Sequence, residues 1–372
     1  VSAPKIVIVT DWITDMGGQA RVDLALHEAF PTAPIYASVY EPDEFAKEHF
    51  KDINIHTTWL QKLPKPLRKF HKLVPMLRVK AFRDLDLSEF DIIISSSSAE
   101  SKQVRKTRDD QVHISYCHTP IRYYWSHKKQ YLRDPGFGLL NWPARIGLTL
   151  LLPSLRKADY SASQEVDLFI ANSTAVQKRI KKYYDRNSTI VHPPIDAERF
   201  TKAAQPLEKR AGYVALGRQV PYKKIDLAVE ACTVLGYPLT VLGNGSEHER
   251  LVKMAGPNID FVTRPTDAEV AKYMGKTKGF IFPAEEDFGI VQVEALAAGT
   301  PVIAYGKGGS QDIIDNGKGG VTFRTQNSVS LQKALLEAEN STFKPDDLQR
   351  IAKRFHKTLF ISKVKKIVRD NS

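Results

Sequence analysis

The sequence predicts an α/β fold in two domains, each built on a parallel sheet, and three observations carry the prediction. Short runs rich in Val, Ile and Leu recur along the chain, each ending in small or polar residues, as strands buried on both faces do. Helical patterns separate the runs, and a strand that returns to its sheet after a helix runs parallel to its predecessor. The chain has 372 residues, too many for one ordinary core and suited to two domains of about 150 to 200 residues each.

Taken in order, the strands of the first half are "KIVIVT" (5–10), "DIIISSS" (91–97), "VHISYC" (112–117) and "DLFIANS" (167–173). "IVHPPIDAERFTKAAQPLEKR" (190–210) marks the break, because Pro193 and Pro194 stiffen a linker. A second series follows with "AGYVALG" (211–217), "PLTVLG" (238–243), "GFIFPA" (279–284) and "PVIAYG" (301–306). From Phe343 onward Leu348, Ile351, Phe355, Leu359 and Val364 recur at helical spacing opposite many basic residues, which predicts a closing helix. The expected domains are 1–193 and 194–350, with a C-terminal helix over 351–372 packing back on the first. In such sheets ligands bind at the carboxyl ends of the strands; two halves with those edges facing would enclose a cleft.

Composition narrows the class. Hydrophobic residues make up 42% and charged residues 26%, the balance of a soluble globular protein. No run of eighteen apolar residues occurs, so no membrane span is expected. The opening "VSAPKIVIVT" reads as a strand rather than a signal peptide, an expectation of cytoplasmic localisation. Cys117 and Cys232 are too few for a disulfide framework or a cysteine metal site.

The net charge of +12 is uneven: residues 51–83 hold Lys51, Lys62, Lys65, Arg68, Lys69, Lys72, Arg78, Lys80 and Arg83 against Asp52 alone, a local 9 − 1 = +8. Leu60, Leu63, Leu67, Phe70, Leu73, Val74 and Leu77 recur there at near-helical spacing, broken by Pro64, Pro66 and Pro75 into short helices. A basic amphipathic stretch of this kind suits an anionic membrane surface; a solvated face on a core-packed helix has the same pattern. A nucleic-acid module is not expected, because the cations lack an aromatic stacking platform.

The loops after the strands carry the chemistry. "GGQARV" (17–22) follows the first strand and opens a helix, where Gly17 and Gly18 let backbone N–H groups approach an anion. "LGRQVPYKKIDLAVEA" (216–231) presents Arg218 and Lys223 beside a helix start, a cation pair suited to a diphosphate without a metal. "GFIFPAEEDFG" places Glu286 at a strand end, and "GIVQVEALAAG" opens a helix with free donors from about Gly289 to Val291. Glu294 then lies about one and a half turns into that helix, about 8 Å along its axis from the loop of Glu286. The two acids are placed to reach different parts of one extended ligand, and carboxylates bind sugar hydroxyl pairs well. First-turn capping by acids would explain Glu286 but not Glu294.

"EDFGIVQVEALAAGTPVIAYGKGG" resembles the Glu-x7-Glu signature of retaining glycosyltransferases of family 4, which have the GT-B fold: two Rossmann-like domains with parallel sheets facing across a cleft. "GRQVPYK" is similar to that family's Arg and Lys phosphate clamp, "GGQARV" to its glycine loop and "LGNGSEHERL" (242–251), with Gly243, to its strand-to-helix turn. The similarity runs in order through nearly the whole chain. "ISYCHTPIRYYW" (114–125) further resembles mannosyltransferases of bacterial polysaccharide and glycolipid synthesis, commonly dependent on GDP-mannose.

The resemblance implies a retaining hexosyltransferase that moves mannose from GDP-mannose to a glycan or lipid-linked acceptor, with no cofactor beyond the nucleotide sugar and no metal. Glu286 would hold hydroxyls of the transferred sugar, with Phe288, Gly289, Ile290 and Val291 offering backbone donors, and Glu294 would hold the ribose. Arg218 and Lys223 would neutralise the departing diphosphate, Gly17 and Gly18 would admit it, and His118 matches a histidine near the reacting carbon. Arg264 is placed near the donor base. Arg122, Tyr123 and Tyr124, within "IRYYWSHKKQYLR" (121–133), are candidates for acceptor binding, a packed helix face being the alternative reading. Two positions depart from the family pattern: Ala20 stands where Glu is frequent, and Asp312 where Glu usually follows the Gly-Gly turn. A UDP-sugar-dependent transferase and a GT-B nucleotide-sugar epimerase are the rival readings.

Overall fold

The computed structural model describes residues 4–65, 68, 75–126 and 141–371, with only the backbone at Pro143 and Ala144. The chain forms two compact units, Val1–His192 with Phe360–Ser372, and Pro193–Leu359.

Among the described residues the first unit holds a seven-stranded sheet of β1 (Ile6–Thr10), β2 (Ile35–Ala37), β3 (Ile55–Thr57), β4 (Ile92–Ser97), β5 (Val112–Cys117), β6 (Leu168–Ala171) and β7 (Ser188–Ile190). Their order is β3-β2-β1-β4-β5-β6-β7, and every pairing is parallel. Successive side chains alternate between two buried faces, which is why the interior strands read as unbroken apolar runs. Ile8, Ile92, Ile94, Ile114 and Tyr116 meet Val22 and Leu26 of helix Gly18–Ala29 on one face. Val7, Val9 and Ile93 pack with Phe82 and Val104 on the other.

The second unit holds β8 (Tyr213–Leu216), β9 (Leu239–Leu242), β10 (Ile259–Val262), β11 (Gly279–Phe282), β12 (Val302–Tyr305) and β13 (Gly320–Phe323). The order β10-β9-β8-β11-β12-β13 repeats the pattern of the first unit, again with parallel pairing. Val214, Phe280, Phe282 and Val302 face one core, and Tyr213, Ala215, Ile281 and Ile303 face the other. Both sheets reverse their direction of travel once, between β1 and β4 and between β8 and β11. Loops leaving the carboxyl ends of the two strands diverge at such a point and leave a crevice.

One expectation needs correction. The tail from Phe343 is not one helix but two, Pro345–Lys353 and Lys357–Arg369. The break falls where the Phe355 carbonyl accepts from the Ile195 N–H at 3.1 Å, so that pairing across to the linker replaces the helical ladder. Phe360, Val364 and Val368 of the second helix complete the core of the first unit.

The described residues of the basic stretch form several short elements, as the prolines predict. They comprise β3, a short 3₁₀ turn over Trp59–Lys62 and helix Pro75–Arg83. Arg78 is fully buried, while Arg68 pairs with Glu41 at 2.9 Å and Lys80 with Asp84 at 2.7 Å. Met76 and Leu77 remain exposed. Pro66, Leu67, Lys69, Phe70, Lys72, Leu73 and Val74 lie outside the described residues.

Candidate active site

In the second unit the predicted acid and cation meet at the reversal point. Lys223 leaves β8 on a 3₁₀ turn over Pro221–Lys223, and Glu286 sits in the loop after β11, the neighbouring strand. The Lys223 ammonium bonds directly to the Glu286 carboxylate, both side chains being half-buried. Arg218, on the same β8 loop, is exposed, and its guanidinium donates to the Tyr222 hydroxyl at 3.1 Å. Lys224 holds a left-handed φ of 54°, a conformation costing a side-chain-bearing residue about 1 kcal/mol. That kink ends the turn and starts helix Ile225–Leu235.

Glycines fix the loops around this pair by letting backbones touch. A Cβ on Gly243, whose φ is +113°, would lie 2.4 Å from the Gly217 carbonyl oxygen. The buried Gln219 side chain spans the same junction, donating to the Gly243 carbonyl at 2.6 Å and meeting His248 Nδ1 at 2.7 Å. After β12, a Cβ on Gly308 would fall 2.1 Å from the Glu286 carbonyl oxygen and one on Gly309 2.3 Å from Phe288 Cα. Gly309 N–H donates to that Glu286 carbonyl at 2.9 Å. The Gly-Gly turn is therefore the brace behind the Glu286 loop.

Helix Ile290–Ala297 begins after Gly289, which caps it at φ 86°. The Gln292 N–H of its first turn donates to the Gly289 carbonyl at 3.0 Å, while the N–H groups at a helix start otherwise lack intrahelical acceptors. The Phe288 ring is buried against Phe355, with centroids 5.6 Å apart, so only its backbone faces the loop. Glu294 is buried, and Arg199 Nη2 lies 3.7 Å from its carboxylate. Arg199 also pairs with Asp267. Arg264, beyond β10, is exposed.

In the first unit Gly17 caps helix Gly18–Ala29 directly after β1, and His118 follows β5. His118 Nε2 lies 2.9 Å from Ser96 Oγ, at the end of β4, and its carbonyl accepts from Asn172 at 2.9 Å. A clamp that sequence reading did not single out holds these strand ends together. The buried Asp11 carboxylate accepts from Ser98 N at 2.7 Å, Ala99 N at 2.8 Å, Ser101 N at 2.8 Å and Ser98 Oγ at 2.9 Å. Gln19 reaches Thr10, Asp11 and the Ser96 carbonyl at 2.9 to 3.1 Å. An acid immediately after a strand, facing a serine-rich strand end ("SSSSAE"), was the available signal.

The tyrosines proposed for the acceptor are tied into the interior. Arg78 and Glu100 form a fully buried two-point pair at 2.7 and 3.0 Å. Tyr123 and Tyr124 both donate to Glu100 Oε1, at 2.6 and 3.0 Å. Tyr124 has no exposed surface, a packing place rather than a surface one. Burial, with the Glu100 charge adding to it, drives both phenols well above their ordinary range. Arg122 is half-buried, and residues 127–133 of the segment lie outside the described ones. Among the described residues no three of His, Cys, Asp and Glu are grouped as a metal ion would need.

The comparisons with known proteins follow the same division. Residues 16–199 match the family model Glycosyltransferase Family 4, and residues 196–355 match Glycosyl transferases group 1. An uncharacterised glycosyltransferase of Methanocaldococcus jannaschii is 29% identical over 147 residues, 38% of this chain and 42% of that protein. The GDP-mannose-dependent monoacylated alpha-(1-6)-phosphatidylinositol monomannoside mannosyltransferase of Corynebacterium glutamicum is 28% identical over 194 residues, 44% of this chain and 51% of that one. The alignments thus span about half the length of the curated relatives. The Anabaena HepE structure in complex with UDP superposes with a TM-score of 0.70 at 15% identity, covering 98% of this chain and 100% of that one. With both family models in sequence over residues 16–355 and the two parallel sheets they require, the chain belongs to the glycosyltransferases of GT-B type.

Proposed function

We propose that the protein is a retaining, metal-independent hexosyltransferase that moves mannose from GDP-mannose to a glycan or lipid-linked acceptor. The observation that carries this reading is the meeting of Lys223 and Glu286 at adjacent strand ends. A cation for a diphosphate and an acid for sugar hydroxyls stand within one contact of each other, the spacing a nucleotide sugar requires. The choice of mannose is supported by the similarity to the Corynebacterium glutamicum mannosyltransferase and by "ISYCHTPIRYYW".

In this mechanism the bond between the anomeric carbon and the diphosphate oxygen breaks while the acceptor oxygen bonds to that carbon on the same face. Arg218, Lys223 and the N–H groups at the start of helix Ile290–Ala297 stabilise the charge on the departing diphosphate. A diphosphate oxygen takes the acceptor's proton. Glu286 orients the sugar through its hydroxyls, Glu294 is assigned to the ribose, Arg264 to the base and His118 to the transferred sugar. Gly17 and Gly18 receive the diphosphate from the first unit, and Arg122 remains for the acceptor.

A cytoplasmic place on an anionic membrane surface completes the proposal. Among the described residues no helix is long and apolar enough to cross a membrane. Helix Asn141–Glu165 exposes Trp142 at 71% and Leu150 at 73%, with Ile146 between them at 42%. That stripe and the exposed Met76 and Leu77 suit partial insertion beside anionic headgroups.

The deciding experiment compares slow hydrolysis of GDP-mannose, GDP-fucose, UDP-glucose and UDP-N-acetylglucosamine without added metal. Selective release of GDP from GDP-mannose is expected. Release of UDP instead retains the clamp and discards mannose. Inertness of all four, with lipid-linked acceptors also present, refutes the assignment.

A further inference from the structure

One residue sews the loop that carries Arg218 to its neighbour. Gln219 has no exposed surface, and its backbone and side chain both bond to the loop after β9, the adjacent strand. Its N–H donates to the Asn244 carbonyl at 2.9 Å, and its carbonyl accepts from the Glu247 N–H at 2.9 Å. Its side-chain Nε2 donates to the Gly243 carbonyl at 2.6 Å, and its Oε1 lies 2.7 Å from His248 Nδ1. A backbone carbonyl only accepts, so the amide has one orientation and His248 Nδ1 carries the proton that Oε1 receives. The His248 ring is itself set edge-on against Phe261, with centroids 5.6 Å apart.

Glycine keeps this seam close. A Cβ on Gly245 would lie 2.3 Å from the Gln219 carbonyl oxygen, so the two backbones touch there as they do at Gly217 and Gly243. The Val220 N–H closes onto the Arg218 carbonyl at 2.9 Å, a three-residue turn with Gln219 at its centre. The Arg218 guanidinium, by contrast, is exposed and donates to the Tyr222 hydroxyl at 3.1 Å. A long cation in water is expensive to order when an anion arrives, and a fixed backbone beneath it lowers that cost. We propose that Gln219, braced by His248, is a positioning residue for Arg218: it fixes the base from which the guanidinium meets the donor's diphosphate.

The role rests on the assignment of Arg218 to the diphosphate, and it differs in its consequences from a role in stability. A buried amide that did no more than tie two loops together would, on removal, weaken ligand binding equally with and without Arg218. A residue that acts through the guanidinium loses its effect once that group is gone, so the two replacements are not additive. Gln219 itself is buried beside the clamp and offers the ligand no group of its own.

The test is a double-variant cycle on the full chain, read by calorimetric titration with GDP and, in parallel, UDP. Gln219→Met keeps the length of the side chain and removes its hydrogen bonds. It is expected to weaken binding of whichever nucleotide the wild type takes by about tenfold. In an Arg218→Ala background the same replacement is expected to change nothing further. Equal weakening in both backgrounds, or wild-type affinity in folded Gln219→Met, overturns the proposal. Should Gln219→Met fail to fold, His248→Ala takes its place in the cycle; it removes the bond to Oε1 and is expected to cost about threefold. Failure of the wild type to bind either nucleotide is a different result: it refutes the donor assignment, and the role of Gln219 falls with it.

Discussion

Gly309→Ala isolates the brace behind Glu286 from every other effect of a glycine. Gly309 has an ordinary helical φ of −69° and caps the N-terminus of helix Ser310–Ile314, so alanine meets no backbone strain there, although it is a poorer cap than glycine. The new Cβ would stand 2.3 Å from Phe288 Cα and 2.4 Å from the Phe288 carbonyl oxygen. Reaching an ordinary contact of 3.4 Å requires a shift of 3.4 − 2.3 = 1.1 Å by backbone on one side or the other. Overpacking of this kind costs about 1 to 3 kcal/mol, in addition to the poorer cap. A displacement of about 1 Å in a residue that positions substrate lowers turnover about a hundredfold. Gly306→Ala is the internal control, because its Cβ would meet nothing closer than 3.4 Å. Urea unfolding and donor turnover measured on both variants give the answer. Equal turnover in the two would refute the brace.

Three other outcomes are expected. Lys223→Ala and Glu286→Ala each cut transfer at least about a hundredfold while circular dichroism and melting stay near wild type; near-normal turnover in both would overturn the site. The buried His113, held down to about 4 by desolvation, stays neutral where the unfolded chain takes up a proton. Stability is therefore full above the unfolded value of about 6.5 and falls as pH drops toward 4, by about 3 kcal/mol, a loss absent in His113→Gln unfolding curves. Glu100→Ala leaves Arg78 buried without its carboxylate partner and should cost about 3 to 5 kcal/mol in denaturant unfolding; a loss under about 1 kcal/mol would show that water or another group takes its place.

How much was legible depended on where each strand sits. The eight strands read from sequence lie in the sheet interiors, where both faces are buried and most positions are apolar or small. The others are short, and four of them (β3, β7, β10 and β13) are sheet edges. Ile55-His56-Thr57 and Ser188-Thr189-Ile190 carry polar residues because an edge has one side in water. The loops carrying Arg218, Lys223 and Glu286 were found because local rules govern strand ends and helix starts. The partners were not, because they depend on which strands are neighbours. Nothing local says that the loop after β8 meets the loop after β11, or that Ser96 meets His118. The burial of Arg78 was hidden for the same reason: it looks like a surface cation until Glu100, 22 residues on, accepts it inside the core.

Under the proposed function, the contact between Lys223 and Glu286 would also act as a filter on what the site accepts. Any anion that draws the ammonium away strands a half-buried carboxylate, and that desolvated charge must be compensated by the newcomer. Inorganic phosphate and free nucleoside diphosphates bring no transferred-sugar hydroxyls to the Glu286 carboxylate. A molecule joining an anion to a run of hydroxyl donors repays both partners at once. Discrimination against the abundant bare phosphates of the cell is thus built into the resting arrangement, and it works by penalising the incomplete ligand rather than by adding contacts to the complete one.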